Sequence, residues 1–353
     1  MSINLALKFS PKLDERYKHN SFTDAWCGTN YDWEGVNAIK VYTINTGKLN
    51  DYDATKTANR FGTPHEVEDE VNTYQLLRKR SFSETIDVTN SQDQLFIKKS
   101  SAYLKQMWDY GYVPEIDRYR LKTWAEGAGL GTLNTTALTK TTVVKAMLTG
   151  LTALDDAGVP FDGRVLYVRS DTAIDFRLAD EFKADGLGQR VIKRQIGDVN
   201  GTPVVAVPPS FMPKGVVFMI KHKQSTADPT KLRSLLAHNN PPGIAGVLLE
   251  GLVRYDSFVL AQKADGVYVY ASDADAVCAA PTFSIASNKV TIESTTSGAT
   301  IKYTTDGTNP KTSTTAQVYS ASVTITADTE FRAYASKSGL LSSPITAYDA
   351  VKS

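Results

Sequence analysis

The longest helical pattern in the chain runs from Ser91 to Glu126 and predicts two consecutive helices. Apolar residues recur at helical spacing in its first half, while lysine and glutamine side chains mark the opposite face. Ser91 and Gln94 stand three residues apart, as in a capping box, and predict the start of the first helix. Gly111 interrupts the pattern, and Pro114 suits the first turn of the second helix. We expect the segments on both sides to pack around these two helices.

Segments without a core of their own precede the helices. Residues 36–44 (VNAIKVYTI) are rich in β-branched and aromatic side chains, and residues 81–88 (SFSETIDV) alternate between apolar and polar ones. The polar stretch between them cannot form a core. We therefore expect the two strands to form one long hairpin that needs a neighbouring surface, in the same chain or in another one. Residues 1–34 predict either an arm that lies on another surface or a frayed terminus followed by an ordinary loop.

The middle of the chain mixes helices and strands without a regular βαβ order, which predicts an α+β body. Helices are expected at Thr139–Gly158, after a capping Ser170, and from Asp228 onward with Leu232, Leu235 and Leu236 on one face. Strands are expected at residues 164–168, 203–207, 216–220 and within 246–272.

The composition changes at about Ala279, where serine and threonine become frequent and helical periodicity stops. Turn signals such as DGTNP (306–310) separate short alternating segments. Evenly spaced short strands of this kind predict a small β-sandwich, with VCAAP (277–281) as the junction. The alternating segments are KVTIES (289–294), ATIKYTT (299–305), SVTITA (322–327) and EFRAYAS (330–336).

Charge and cysteine content exclude several classes of protein. The formal net charge is +1, so no bulk electrostatic attraction to nucleic acid or to a membrane surface is expected. Cys27 and Cys278 are far apart and lack metal-binding spacing, which predicts two free thiols in a reducing cytosol. No apolar run is long enough to span a membrane, and the N-terminal residues are too polar for a secretory signal.

The sequence contains no convincing catalytic motif, so it predicts a protein that is not an enzyme and has no cofactor or metal. GAGLG (127–131) resembles a phosphate loop but follows a helix rather than a strand. Asp155 and Asp156 are adjacent, which favours a solvated surface, and a calcium site at Asp265, Asp273 and Asp275 is much less favoured than a charged strand end. The four histidines have no ligand spacing: His19, His65, His222 and His238.

Several segments between Phe9 and Tyr270 together resemble the major capsid proteins of tailed bacteriophages of the Hong Kong 97 type. They are FSPKLDERY, VNAIKVYTI, LNDYD, NRFGTPHEVEDEVNTYQL, RSFSETID, KKSSAYLKQMWDYGYVPEIDRYR and LEGLVRYDSFVLAQKADGVYVY, in that order. The resemblance implies the α+β Hong Kong 97-type fold and its subdivisions. These are an N-terminal arm (1–34), an extended hairpin loop (35–90), a peripheral domain with the spine helix (91–139 and 251–278) and an axial domain (140–250).

The same resemblance implies a structural role in the virion. The chain would be made in the host bacterial cytoplasm and form hexamers and pentamers of an icosahedral head around double-stranded DNA. Its expected partners are itself, scaffolding and portal proteins, and the packaged DNA through non-specific contacts, with no membrane. Because the pattern begins within ten residues, a separate scaffolding protein or a removed segment is implied. Lys48, Lys56, Asn50 and Asn59 lie where some members crosslink, but no pair is assigned. An encapsulin-type compartment shell is the alternative.

Residues 280–348 resemble a second family, the immunoglobulin-like sandwich of the chitobiase C-terminal type. The matching segments are PTFS, GATIKYTTDGTNP and ITADTEFRAYASKSGLLSS. On a capsid, this domain (279–353) is expected to project outward and to serve as decoration or for weak adhesion to surface glycans. Tyr303, Tyr319 and Tyr334 are candidate sugar-stacking residues, and packing inside the sandwich is the alternative. A secreted glycan-binding protein is disfavoured by the lack of a signal and of an acid pair.

Overall fold

A computed structural model describes most of the chain from residue 20 onward. Its described residues form two compact units, one within Asn30–Arg78 and the other made by the described residues on either side of it. The expectations for residues 1–19, for the Ser91 capping box and for Lys48, Asn50 and Lys56 lie outside the described residues. The described ranges are 20–29, 31–34, 38–44, 52, 54–55, 59–61, 69–87, 100–179 and 195–352.

The smaller unit contains a three-stranded antiparallel sheet in the order β1-β2-β3. The strands are β1 (Asp32–Glu34), β2 (Ala38–Ile44) and β3 (Asp69–Gln75). The predicted pairing of residues 36–44 with 81–88 is wrong, because β2 pairs with β3 along its whole length. Ile39 lies opposite Tyr74 in this register, and an apolar cross-strand pair of this kind stabilises a sheet. The acidic residues that precede Tyr74 obscured this strand in the sequence.

The predicted helix pair is one continuous helix over the described residues, which we call the central helix (Ser100–Gly127). Its parts are α1 (Ser100–Met107), a π-helical turn (Trp108–Tyr112) and α2 (Val113–Gly127). The expected break at Gly111 is wrong. Gly111 lies inside the π-helical turn, where the Val113 amide bonds to the Trp108 carbonyl five residues back. The wider turn carries the helix past Pro114, which has no amide hydrogen to donate.

Two shorter helices follow, α3 (Val143–Asp156) and α4 (Thr172–Leu178), as the apolar periodicity predicted. α3 buries Val143, Met147, Leu151 and Leu154 on one face. Asp171 rather than Ser170 caps α4, since the Asp171 carboxylate accepts a hydrogen bond from the Thr172 amide.

A six-stranded mixed sheet forms the centre of the larger unit, in the order β5-β14-β9-β6-β8-β7. One face packs on α2 through Leu121 and Trp124, and the other packs on α3 and α4. Burial on both faces explains why β6 and β9 are continuous apolar runs in the sequence. The body strands are β4 (Arg78–Asp87), β5 (Leu130–Leu133), β6 (Arg164–Arg169), β7 (Gln195–Val199), β8 (Thr202–Val207), β9 (Val216–His222), β10 (Thr226–Ala227), β11 (Thr230–Asn239), β12 (Gly246–Tyr255), β13 (Phe258–Val259) and β14 (Val267–Ala271).

The helix predicted after Asp228 is wrong, because these residues form strand β11. β11 pairs with β12 from Thr230 opposite Tyr255 to Asn239 opposite Val247, and β4 lies on the other side of β12. The leucines at positions 232, 235 and 236 match helical spacing, but Leu236 is 50% exposed in the strand. Backbone pairing with β12 outweighs the local helical pattern.

The C-terminal residues form the predicted β-sandwich. Its two sheets have the orders β15-β16-β19 and β18-β17-β20-β21, and Phe331, Val290 and Tyr303 pack between them. The four alternating segments of the sequence correspond to β16, β17, β19 and β20, whereas β15, β18 and β21 were not predicted. The strands are β15 (Thr282–Ala286), β16 (Lys289–Glu293), β17 (Thr300–Thr304), β18 (Gln317–Val318), β19 (Val323–Thr324), β20 (Thr329–Ser336) and β21 (Thr346–Ala350).

Candidate functional site: the central helix and its attachments

Polar residues lie on a buried face of α2. Asp117, Arg120 and Trp124 stand at helical spacing, and each is at most 5% exposed. An amphipathic pattern places charged residues in water, so buried ones need polar partners. These partners come from residues 20–29, which we call the N-terminal segment.

The carboxylate of Asp117 holds the start of the N-terminal segment through three hydrogen bonds. It accepts them from Ser21 Oγ at 2.7 Å, from the Phe22 amide at 2.9 Å and from Thr23 Oγ1 at 2.6 Å. One turn later, Arg120 Nη1 donates to Thr23 Oγ1 at 3.0 Å. The described part of the predicted arm therefore lies on its own chain.

Asp228 is a second buried anchor, placed between β10 and β11. Its carboxylate accepts four hydrogen bonds and so has the partners that a buried carboxylate requires. The donors are Gly28 N at 3.1 Å, Trp124 Nε1 at 3.0 Å, Thr226 Oγ1 at 2.7 Å and Ser257 Oγ at 2.6 Å. One side chain thus joins the N-terminal segment, the central helix and two other segments of the body.

Lys221 supplies the cation of this cluster from β9. Its side chain is fully buried, and its Nζ lies 3.8 Å from Asp228 Oδ2 and 3.7 Å from the ring centroid of Trp124. Nζ also donates a hydrogen bond to the Trp26 carbonyl at 2.6 Å. Burial lowers the pKa of Lys221 to about 8, although the nearby Asp228 charge opposes this shift.

Both cysteines are free, as the sequence predicted, and both are buried. Burial, followed by the neighbouring Asp228 charge, raises the pKa of Cys27 to about 12. Its Sγ donates to the Thr23 carbonyl at 3.3 Å. Because the thiolate is the nucleophile, this cysteine is poorly suited to chemistry, and the buried polar cluster acts to hold segments together.

The start of α2 is attached to the sheet formed by β4, β12 and β11. Tyr112 and Ile116 pack with Val253 and Tyr255 of β12, with Phe82 of β4 against them. Tyr255 donates a hydrogen bond to Glu115 Oε1 at 3.2 Å, and Arg80 Nε lies 2.5 Å from the same oxygen. This side of the helix holds the sheet through aromatic contact and a shared carboxylate.

The end of the central helix is attached to the sandwich through Lys311. This residue precedes β18, and its Nζ donates to the Glu126 and Ala128 carbonyls, both at 2.8 Å. Carbonyls at the end of a helix lack intrahelical donors, so the amine acts as a C-terminal cap. Burial lowers the pKa of Lys311 to about 7, against the opposing charge of Glu126.

Further contacts fix the sandwich on the body at separate points. Asn309 Nδ2 donates to the Ala261 carbonyl at 2.9 Å, and the Ile345 amide donates to the Gly129 carbonyl at 2.9 Å. Leu341 forms a bridge with Val277 and is part of the same apolar cluster as Trp124. One residue of the sandwich thus enters the core of the body, so the two are not joined by a linker alone.

The three tyrosines proposed for glycan contact lie in different surroundings. Tyr303 is 8% exposed and packs on Phe331 and Tyr319, with its hydroxyl bonded to Gln317. Tyr334 is half-buried, and its ring centroid lies 5.7 Å from Lys311 Nζ at the attachment to the body. Glycan contact stays a prediction, but the structure does not bring the three rings together as one open platform.

The other candidate residues have structural partners. Asp155 pairs with Arg164 at 2.7 Å instead of being only solvated, and Asp265 lies 3.9 Å from Arg332 of the sandwich. His222 bonds to the Asp162 carbonyl. In the described ranges, no group of three His, Cys, Asp or Glu residues is arranged to hold a metal ion, and no helix is long and apolar enough to cross a membrane.

Comparisons with known proteins agree with this architecture. The family model of the chitobiase/beta-hexosaminidase C-terminal domain matches residues 279–347, and no curated protein matches the chain. A solved structure from Mycobacterium phage Che8 is similar with a TM-score of 0.61 and 16% identity, over 76% of this chain and 98% of that one.

Two further structures are similar over the same share of the chain. The capsid structure of the cyanophage P-SCSP1u has a TM-score of 0.60 and 12% identity, over 75% of this chain and 91% of that one. The mature capsid of bacteriophage PhiM1 has a TM-score of 0.58 and 11% identity, over 75% of this chain and 90% of that one. At these identities the likeness shows a shared fold, and it confirms the predicted α+β capsid fold. The family model at residues 279–347 confirms the predicted immunoglobulin-like domain.

Proposed function

We propose that this chain is the major capsid protein of a tailed bacteriophage. The observation that carries the proposal is the structural match, which spans 98% of the Che8 chain and 91% of the P-SCSP1u capsid chain. The match therefore spans nearly the whole length of these neighbours, together with about three quarters of this chain. The role is structural: the subunits assemble into hexamers and pentamers that enclose double-stranded DNA in the virion.

The proposed subdivisions follow the resemblance seen in the sequence. Residues 1–34 are the arm, 35–90 the extended loop, 91–139 and 251–278 the peripheral domain, and 140–250 the axial domain. The central helix serves as the spine of the subunit, because the N-terminal segment, the β4–β12–β11 sheet and the sandwich are all attached to it. Scaffolding and portal proteins are the expected partners in assembly.

The sandwich (279–353) is proposed to project from the outer surface as a decoration. Its docking on the end of the central helix gives it one orientation on each subunit, which suits a regular array of knobs. Adhesion to glycans is a further candidate role for it. A glycan array probed with intact particles tests that role. Glycan binding that persists after an antibody blocks the sandwich would show that the sandwich is not the adhesive part.

Electron microscopy of the full chain, expressed alone and with its genomic neighbours, tests the assembly. We expect closed shells or capsomers with small knobs. A histidine tag inserted after Ser287, which is exposed at the turn between β15 and β16, can be labelled with nickel–gold on intact shells. Labelling is expected only if the sandwich faces outward. A monomer under every condition, measured by light scattering, would overturn the proposal. Particles that hold protein cargo instead of nuclease-protected DNA would favour a bacterial compartment shell.

A further inference from the structure

A cleft lies between the central helix and the sandwich, and residues of both line it. Its volume is about 480 Å³, and its walls come from α2, from the loop at residues 210–214 and from the sandwich turn at residues 339–341. Phe211 and Met212 are buried and form an apolar floor together with Leu340. Because the sandwich supplies one wall, the cleft exists only while the sandwich is docked.

The rim of this cleft carries more positive than negative charge, and we call it the basic cleft. Arg118, Lys122 and Lys214 line it, and Glu126 is the one acidic residue among its lining residues. Glu126 lies 3.5 Å from Lys122, so its charge is partly matched already. Within the described residues, neither Arg118 nor Lys214 has an acidic partner. The Arg118 guanidinium lies 4.5 Å from the Phe211 ring centroid, which holds it at the cleft.

The end of the sandwich away from this cleft carries the opposite charge. Glu330 of β20 and Asp349 of β21 stand directly opposite each other in the strand register. Asp306 belongs to the same end, because a Cβ atom at the adjacent Gly307 would lie 3.0 Å from Glu330 Oε2. All three acids are exposed. We call Asp306, Glu330 and Asp349 the acidic end of the sandwich.

Two nearby cations leave the acidic end with a surplus of negative charge. Arg332 Nε lies 3.0 Å from Glu330 Oε1, so that carboxylate is partly matched. Lys352 has Asp328 beside it, since Asp328 Oδ1 accepts a hydrogen bond from the Lys352 amide at 2.9 Å. In the described ranges, no ion pair involves Asp349. Like charges that face each other on neighbouring strands destabilise a sheet, so a cation beside Asp349 and Glu330 relieves a repulsion.

The acidic end faces sideways from the subunit. Contacts with the body come from both ends of β20: Arg332 lies 3.9 Å from Asp265, and the Ile345 amide bonds to the Gly129 carbonyl at 2.9 Å. The strand therefore lies along the body instead of pointing away from it. Its eight residues span roughly 25 Å at about 3.3 Å per residue, so the acidic end of a chain is too far away to enter the basic cleft of the same chain.

The acidic end has the chemistry that suits the basic cleft. Concave surfaces lined by one sign of charge concentrate the field and attract the opposite charge. Val351 follows Asp349 by two positions and is 65% exposed, so it offers an apolar side chain to the apolar floor. Duplex DNA, by contrast, presents phosphates on a convex and rigid surface and would leave that floor unused.

We propose that the basic cleft of one subunit binds the acidic end of the sandwich of a second copy. The inference rests on the proposed function, because assembly presents one copy to another at high local concentration. Different surfaces of the two copies meet in such a contact, and a contact of this kind repeats around a ring when the rotation closes. Each sandwich then completes one cleft, through its turn at residues 339–341, and fills the cleft of the next subunit.

Carbodiimide crosslinking of the wild-type full chain tests the contact directly. This reagent joins a lysine amine to a carboxylate where the two already lie side by side, and mass spectrometry identifies the linked peptides. Assemblies are made from a mixture of chains with light and heavy nitrogen isotopes, so links between copies carry both labels. We expect mixed-label links from Lys214 or Lys122 to Asp349. Glu293, an exposed acid of the other sheet, is the internal control and should not be linked to these lysines.

A charge swap supplies the second arm. Lys214→Glu is expected to weaken self-association of the full chain about fivefold to tenfold in sedimentation velocity at low salt, because an attraction becomes a repulsion. The double variant Lys214→Glu/Asp349→Lys should regain the wild-type association, since opposite charges face each other again. Lys214→Glu/Glu293→Lys has the same net charge without the swap and should stay weak. Circular dichroism melting curves of all variants establish that they are folded.

The outcomes separate this contact from the proposed function. Shells in which Lys214 and Lys122 are linked only to other carboxylates, or in which the two double variants associate equally well, would overturn the contact and leave the capsid proposal standing. Mixed-label links to Asp349 in small oligomers that never form shells or capsomers would support the contact and remove the capsid proposal. Loss of these links on addition of short duplex DNA, with binding of the DNA that depends on Lys214, would show that the cleft serves nucleic acid and overturn the proposed occupant.

Discussion

At the residue scale, the buried Asp228 joins several distant segments of the chain through its hydrogen bonds. Its carboxylate accepts four hydrogen bonds, and it faces the buried cation of Lys221 at 3.8 Å. A buried ion pair adds little net stability when intact, but the loss of one partner leaves an uncompensated charge in the interior. The removal of the Asp228 charge should therefore destabilise the chain by more than the intact ion pair stabilises it.

Replacement of Asp228 by asparagine tests this dependence. The Asp228→Asn variant keeps the shape but leaves Lys221 without its counter-charge, so we expect the free energy of unfolding to fall by about 3–5 kcal/mol. Urea unfolding followed by tryptophan fluorescence measures the loss. Asp349→Asn makes the same change at an exposed position and should stay within about 0.5 kcal/mol of the wild type. Similar losses in both variants would contradict the role of the buried cluster.

Lys221 and Lys311, whose pKa values are lowered in the folded chain, predict how stability changes with pH. In the folded chain, the pKa of Lys311 is lowered to about 7 and that of Lys221 to about 8, from an ordinary value of 10.5. Between these values the unfolded chain binds more protons than the folded one. The free energy of unfolding should therefore rise as the pH increases from about 7 to 9.

Methionine at position 311 isolates the contribution of one lysine. The Lys311→Met variant has no amine to titrate, so its stability should rise less steeply between pH 7 and 9 than that of the wild type. Urea unfolding at closely spaced pH values gives the slope. Lys352→Met, at an exposed site near the C-terminus, should keep the wild-type slope. An unchanged slope in Lys311→Met would mean that this amine keeps its ordinary pKa when folded.

At the element scale, the sequence predicted best the segments whose burial is uniform. Strands β6 and β9 are buried almost throughout, so their continuous apolar runs predicted the two strands correctly. Strand β11 was predicted as a helix, because its leucines happen to fall at helical spacing and its stability comes from pairing with β12. The central helix was predicted with a break, since a π-helical turn has no simple sequence pattern.

The sheet formed by β11, β12 and β4 depends on a close fit between Gly251 of β12 and Phe82 of β4. A Cβ atom at position 251 would lie 2.2 Å from Phe82 Cε1, so Gly251→Ala should destabilise the chain by about 1–3 kcal/mol through overpacking. The double variant Phe82→Ala/Gly251→Ala removes the ring. Its stability loss should be clearly smaller than the sum of the two single losses in a double-mutant cycle.

Urea unfolding of the four members of this cycle provides the measurement. Additive losses would mean that the Cβ added at position 251 does not contact the Phe82 ring. That result would contradict the placement of β4 beside β12. Gly298→Ala is the comparison for a glycine in open space, where no atom lies within 4 Å of the added Cβ. Any loss there reports the positive φ of that turn and not a clash.

At the scale of the whole molecule, contacts between distant parts of the chain could not be predicted from the sequence. The bond from Gly28 to Asp228 spans 200 positions, and Lys311 reaches back 185 positions to Glu126. Each residue looked ordinary in its local pattern: Asp228 suited a helix start, and Lys311 directly follows the turn signal at residues 306–310. Their roles arise only when the fold brings the central helix between them.

The attachment of the sandwich is the last prediction and depends on Lys311. The Lys311→Ala variant removes both hydrogen bonds from Nζ to the end of the central helix, so the Glu126 carbonyl keeps only the longer bond from Ser342 Oγ at 3.4 Å. We expect faster hydrogen exchange at the Ile345 and Leu341 amides, which bond to the body, measured by mass spectrometry on the full chain. Amides inside the sandwich, such as those of β20, should keep their wild-type protection.

Lys337→Ala is the matched control, because Lys337 Nζ bonds to the Ser297 carbonyl within the sandwich. It removes a lysine from the same domain without touching the body, so exchange at Ile345 and Leu341 should not change. Faster exchange throughout the sandwich in Lys311→Ala would mean that the lysine stabilises the domain itself. Faster exchange confined to the attachment would mean that it fixes the domain's orientation, which a regular array of identical knobs on a shell requires.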